Sequence, residues 1–247
     1  MEESFLLVRF DSSGAKILAD KDSSVAREVA SVAKVYLAAE VIRLLETGEI
    51  NNQQVLIKKE DLDFYGTDVL ADLVGENNSI SLDVLTLVGL MVKYSCNSSA
   101  SILSRLFFSS RKMLEKTAKK VWGLKNLKLI SEDGQYLNKF SLQDLLTLFR
   151  NIYYERRGDY WDFLREKLRT SRNIYYLFDQ KELEILGCKS GTKKDGSFYF
   201  INDCGVFRYN GKTFFMGAMV SNKSISQAVL RIRDIGAELL LVAKDNS

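Results

Sequence analysis

Four serines in this chain stand three residues ahead of a lysine: Ser13 with Lys16, Ser31 with Lys34, Ser109 with Lys112 and Ser190 with Lys193. On a helix this spacing puts both side chains on one face. A lysine held there out of water is neutral near pH 7 and can take the serine's proton, which makes the hydroxyl a nucleophile. The chain has no histidine, so the Ser-His-Asp, Cys-His and His-metal routes to the same end are closed. Only Ser31-Val32-Ala33-Lys34 falls near the start of a long helical pattern. Alone, its spacing is no more than chance gives a chain so rich in Ser and Lys, and reads as a helix-surface pair.

Two later tripeptides change its weight. Ser95-Cys96-Asn97 follows directly on the apolar run Leu82 to Lys93, and Lys189-Ser190-Gly191 is the one Lys-Ser/Thr-Gly in the sequence. Phe5 to Phe10 and Lys16 to Ala19 are predicted as a hairpin turning at Ser12-Ser13-Gly14. From Val25 to about Leu45 apolar residues recur at three- and four-residue steps, which predicts a helix closed by Gly48. Further helices are predicted over Leu82–Lys93, capped by Ser81, from Ser98 through Phe107, and over Arg111–Trp122, stopped by Gly123. Ser141-Leu142-Gln143-Asp144 is a capping box, and Tyr153 to Arg172 reads as helix broken at Gly158. Strands return with Glu184 to Gly191, Tyr199 to Tyr209 and Lys212 to Ser221, the last two joined by Asn210-Gly211. A helix from Ser224 to Val242 ends the chain. This order predicts one α+β domain over 1–247. An antiparallel sheet lobe, 1–24 plus 183–247, comes from both chain ends and is flanked by helices, and a mostly helical lobe, 25–182, is inserted in it.

The three sets fall on a helix start, an interhelical loop and a sheet strand. In this order they resemble the S-x-x-K, S-D-N and K-T-G sets of class A β-lactamases and penicillin-binding proteins. The flanks Arg27 to Leu37, Leu85 to Ala100 and Ile201 to Val206 are similar too, so the likeness covers about Phe5 to Leu240. It implies a β-lactamase/transpeptidase-like fold and a role for each matching residue. Ser31 would attack an acyl carbonyl with Lys34 as its base. Ser95 would pass a proton to the leaving nitrogen, and Asn97 would hold the substrate's amide side chain. Lys189 would supply positive charge for a substrate carboxylate and lower the pKa of Lys34; Ser190 would hydrogen-bond that carboxylate. Gly191 would let substrate lie along the strand edge. The backbone N–H groups of Ser31 and Thr192 would form an oxyanion hole worth a few kcal/mol in the transition state.

The sequence also departs from that pattern. Cys96 stands where the family has Asp, which puts the loop geometry in question; with no histidine to activate it, Cys96 reads as structural rather than catalytic. The family's E-x-x-L-N loop supplies the Glu that activates the hydrolytic water. Matched on Leu137-Asn138, that position is Gly134, so Glu132 or Asp133 would have to substitute, or both are plain loop carboxylates. The segment into Ser141 is short as well. Ile201 occupies the place of a basic residue that grips substrate carboxylate in many relatives, with Lys193, Lys194 and Arg208 as candidates to compensate. No helix precedes the first strand, so the C-terminal helix has to cover that face of the sheet.

The expectation is acylation of Ser31 by a β-lactam or a peptidoglycan-derived peptide, with slow hydrolysis. A D,D-peptidase, transpeptidase or esterase of the same fold is the alternative. A catalytically silent relative is the other, binding peptidoglycan or a protein through Tyr153-Tyr154, Tyr160-Trp161 and Tyr175-Tyr176, although these aromatics read first as core packing. Lys and Arg total 35 against 32 acidic residues, net +3, too even for a nucleic-acid binder, and the pairs Lys119-Lys120, Arg156-Arg157 and Lys193-Lys194 read as solvated faces. Cys96, Cys188 and Cys204 have no C-x-x-C spacing, so neither a disulfide scaffold nor a metal site is indicated, and the chemistry calls for no cofactor. No run reaches a membrane span. Met1-Glu2-Glu3 lacks the basic start of a signal peptide, so the protein either stays in the cell or follows a removed leader. The resemblance implies an extracytoplasmic place, periplasmic or secreted.

Overall fold

Apolar residues at the N-terminus form β1 (Glu2–Asp11), which pairs antiparallel with β2 (Gly14–Lys21); Ser12 and Ser13 of the predicted turn lie outside the described residues. The computed structural model describes residues 1–11, 14–63, 68–75, 78–131, 133–171, 176–178 and 182–247. A short strand, β3 (Arg27–Glu28), and a 3-10 turn (Ala30–Ala33) lead into α1 (Lys34–Glu46). The helix predicted from Val25 thus begins only at Lys34. Ala30, at φ +49°, breaks the right-handed path, and Ser31 is carried on the 3-10 turn rather than within the helix.

The next segments hold a strand pair that the sequence pattern did not reveal, β4 (Gln54–Lys58) and β5 (Ser79–Asp83), with α2 (Val69–Val74) between them. Ser81 and Leu82 belong to β5. The helix predicted from Leu82 is instead α3 (Val84–Lys93), capped by Asp83, whose carboxylate accepts from Thr86 N at 2.8 Å. Then come α4 (Asn97–Phe107) and α5 (Arg111–Trp122), the latter ended by Gly123 at φ +70°. The strands β6 (Lys128–Ile130) and β7 (Tyr136–Phe140) pair with each other, and β7 pairs with β3. The Ser141–Asp144 capping box forms as the sequence predicts and starts α6 (Leu142–Arg150), worth about 1 kcal/mol. The helix predicted over Tyr153–Arg172 divides into a π turn (Asn151–Glu155) and α7 (Asp159–Arg169), which Gly158 separates. β8 (Glu184–Asp195), β9 (Phe198–Tyr209), β10 (Lys212–Asn222) and α8 (Ile225–Asp245) complete the chain.

Five strands form one antiparallel sheet in the order β2-β1-β10-β9-β8. The two chain ends meet in its middle, and β8, which bears Lys189-Ser190-Gly191, is an edge. One face packs on the helices through residues such as Val32, Leu87, Phe149, Trp161 and Phe215. The other is covered by Ile232, Ile235 and Leu239 of α8, over Phe207, Phe214 and Met216. Asp203 is buried on this second side and accepts from Tyr176 N at 2.8 Å and Leu177 N at 3.1 Å, tying down the segment ahead of β8.

Trp161, Tyr153 and Tyr176 serve the core, whereas Tyr154 is exposed beside Phe10. Trp161 is buried edge-on against Trp122, and the Tyr153 hydroxyl donates to Leu186 O at 3.0 Å; Tyr175 lies outside the described residues. Trp122 Nε1 donates to Glu40 Oε2 at 2.7 Å, and Arg43 also holds that carboxylate. This ties the middle of α1 to the last residue of α5.

Candidate active site

Lys34 is the first residue of α1 and is nearly buried. Its Nζ lies 2.6 Å from both Ser95 O and Asn97 Oδ1, and 3.3 Å from both Ser31 Oγ and Ser95 Oγ. Burial pushes its pKa down to about 8, against the pull of nearby acidic groups, Asp63 and Asp68 among them. A neutral amine has two hydrogens and one lone pair. The two close acceptors take the hydrogens, which leaves the lone pair for a hydroxyl proton, and the hydroxyls of Ser31 and Ser95 stand equally near. Two backbone conformations that side chains rarely adopt make this possible: Ala30 at φ +49° and Ser95 at φ +59°. Such residues cost on the order of 1–3 kcal/mol each.

The wall opposite is β8. Lys189 is wholly buried, and its Nζ has Ser190 O at 3.5 Å as a distant acceptor. Burial, joined by the charge of Lys34, pushes its pKa down to about 7. Ser190 is almost buried and Thr192 exposed. A Cβ on Gly191 would stand 2.4 Å from Val29 O and 2.9 Å from Ser31 N. The reading of Gly191 as room for substrate therefore changes: the space is filled by the backbone of the serine's own turn, which presses on the strand. Glu28 adds a second tie, accepting from Ala30 N at 3.0 Å and pairing with Lys193 Nζ at 3.3 Å.

A cleft of about 900 Å³ opens over these groups, lined by Ser31, Lys34, Asn97, Thr192 and Lys193 on one side and Ser104, Arg111, Tyr136 and Asn138 on the other. A larger cavity of about 1040 Å³ shares Tyr136 and Lys193 with it but holds neither Ser31 nor Lys34; the chemistry belongs to the smaller one.

The model of the beta-lactamase enzyme family matches residues 7–242. The chain belongs to this family. No curated protein matches it in sequence. Solved structures share its fold at low identity. A β-lactamase from Chitinophaga pinensis superposes with a TM-score of 0.84 at 17% identity, covering 99% of this chain and 93% of that one. A class A β-lactamase from Bacteroides cellulosilyticus gives 0.82 at 15%, covering 99% and 93%. A variant of PBP-A, solved as an acyl-enzyme complex with penicillin-G, gives 0.79 at 16%, covering 100% and 91%. The α+β fold expected of a β-lactamase-like chain is therefore the fold observed.

Within this β-lactamase-family chain, the residues of the three sets come together, and of the two carboxylates named for the hydrolytic water, Asp133 is not among the residues that line the cleft. Asp133 accepts from Ser131 Oγ and Gln135 Nε2 in its own exposed turn, away from the cleft. Glu132 lies outside the described residues. Gly134 sits at φ +84° in that turn. β7 then runs straight from Tyr136 into its pairing with β3, Lys139 opposite Glu28, so the chain has no length for a longer loop.

Ile201 is fully buried under α8. Of the basic residues considered in its place, only Lys193 lines the cleft. Arg208 pairs with Glu184 at 2.8 Å near the other end of the sheet edge, and Lys194 lies over the Tyr199 ring. Sequence reasoning missed Arg111. Its guanidinium donates to Leu137 O at 3.2 Å and Asn138 Oδ1 at 3.0 Å and stacks on Tyr136. It missed Asp63 too, a cleft-lining carboxylate. Neither residue has a short-range spacing that would have given it away.

Proposed function

We propose that this β-lactamase-family chain is acylated at Ser31 by β-lactams or related acyl donors and releases the acyl group slowly. The observation that carries this is the Lys34 amine, held by two acceptors at 2.6 Å with two serine hydroxyls at 3.3 Å. Roughly one Lys34 in ten is neutral at pH 7 when its pKa is about 8, hundreds of times the fraction for an ordinary lysine. The amine takes the Ser31 proton as the oxygen attacks the carbonyl. It returns the proton through Ser95 Oγ to the departing nitrogen, so the amine ends neutral. The N–H groups of Ser31 and Thr192 receive the carbonyl's developing charge. Asn97 and Thr192 line the substrate side, Ser190 and the buried Lys189 stand behind it, and Gly191 seats the serine's turn against the strand, with Lys193 and Arg111 adding positive charge for an anionic ligand.

Slow release follows from the other wall, where the loop that would bring a carboxylate to the water is too short. The penicillin-G acyl-enzyme of the PBP-A variant shows that a chain of this fold can hold such an adduct. Intact-mass measurement after exposure to penicillin tests the reading. A one-equivalent adduct that persists and is absent from Ser31→Ala supports it; no adduct on the wild type, or the same adduct on Ser31→Ala, removes it. The cleft's extension past Arg111 along α4 and α5 favours a second reading, a peptidase or transpeptidase acting on peptidoglycan-derived peptide. Steady hydrolysis of nitrocefin far above the Ser31→Ala background would speak against it, and release of a terminal D-amino acid would speak for it.

A further inference from the structure

The middle motif lacks its acid, yet a carboxylate stands beside it. Asp68 comes from the loop ahead of α2, far away in sequence. Its Oδ1 accepts from Cys96 Sγ at 3.1 Å and from Leu70 N at 3.1 Å, and its Oδ2 accepts from Ser98 Oγ. The backbone N–H of Asp63 donates to Ser98 Oγ, so this loop is stitched to the first turn of α4 at a second point. Cys96 and Ser98 are both fully buried. Between and around them sit Ser95, whose carbonyl holds Lys34, and Asn97, whose Oδ1 does the same.

We propose that Asp68 is a positioning residue for the reaction: it replaces, from outside the motif, the carboxylate that Cys96 displaced, and fixes the turn that presents Ser95 and Asn97 to Lys34. The inference relies on the proposed role of Lys34 only for its kinetic readout. The exchange inverts donor and acceptor. A thiol at 96 is a small buried donor that meets an incoming carboxylate, whereas an aspartate at 96 would set two negative charges against each other in a place with little water. Burial raises the Cys96 thiol's pKa, so it stays protonated and able to donate. The charge of Asp68 also favours the protonated form of Lys34.

Asp68→Asn keeps an acceptor for Leu70 N while removing the charge. With a fluorescent penicillin, its acylation rate at the alkaline plateau is expected to fall about tenfold. The midpoint of its pH profile is expected to move to lower pH, because a charge that holds the proton on Lys34 is gone; a packing defect alone would lower the plateau and leave the midpoint in place. Cys96→Asp is expected to lower the melting temperature by about 5 °C or more, and Asp68→Asn in that background is expected to restore most of it.

Wild-type plateau, midpoint and melting temperature in Asp68→Asn would overturn the proposal. So would a Cys96→Asp penalty that is the same with either residue at 68. If the wild type takes no label at all, the acylation reading fails and the melting-temperature cycle alone decides the role of Asp68.

Discussion

The two walls of the cleft are built to different standards. On the side of Ser31, each group proposed to move a proton has near neighbours that fix it: Lys34 has four oxygens around it, and the serine's turn is pressed against Gly191. On the side of β7, the described residues offer Tyr136, Asn138 and Arg111, which bind one another and bring no carboxylate to a water facing the serine. Attack needs a base, a proton path and an oxyanion site; release by water needs one further base. On the proposed reading, the first set can stay whole while the second weakens, because the two hang on separate elements. The serine wall comes from the 3-10 turn, α1, α4 and β8, and the water wall from β7 and the start of α5.

Removing the base breaks the stronger wall outright. Lys34→Met is expected to slow acylation by about 10²–10⁴-fold, read from single-turnover labelling, with Ser31→Ala as the zero. Gly191→Ala attacks the same wall without touching a charged group. Its methyl would meet Val29 O at 2.4 Å, so the turn and strand have to part, and a loss of about a hundredfold in acylation is expected. A drop in melting temperature from overpacking, worth about 1–3 kcal/mol, should accompany it. A Gly191→Ala protein that labels at the wild-type rate would show that the contact does not matter.

The acidity of the medium gives a graded test. The rate follows neutral Lys34, so it is expected to fall about tenfold per pH unit below about 8 and to level above it. The sign for stability agrees. A buried lysine whose pKa is depressed destabilises the fold fully below its folded pKa, and that cost is relieved as pH rises from about 8 toward 10.5. The smallest effect sharpens the weaker wall. Asn138→Glu places a carboxylate in the cleft, and a few-fold faster loss of the penicillin adduct is expected; Arg111 will pair with part of that charge, which limits the gain. An unchanged adduct lifetime would mean that a carboxylate there does not reach the water.

Much of this was legible in the residues. The order of hairpin, helices, three strands and helix follows from periodicity and from turns such as Asn210-Gly211, where both φ angles are positive as the hairpin needs. Ser31, Lys34, Ser95, Asn97 and Lys189 could be picked out because local spacing and chain order mark them. The misses have physical causes. Leu82 continues the apolar run of α3, so periodicity alone could not see that Asp83, not Ser81, starts the helix. The pairing of β4 with β5 depends on a partner many residues away. Asp68 and Arg111 act through contacts between distant segments, and nothing in their immediate sequence sets them apart from other surface charges.

The mooring of α1 through Glu40, Trp122 and Arg43 carries a mechanical consequence. A lever clamped at its middle swings little when its tip is loaded. Any give that a bulky guest demands will therefore be found in the short turn bearing the nucleophile or in the sheet's border strand, while the long helix behind them stays put.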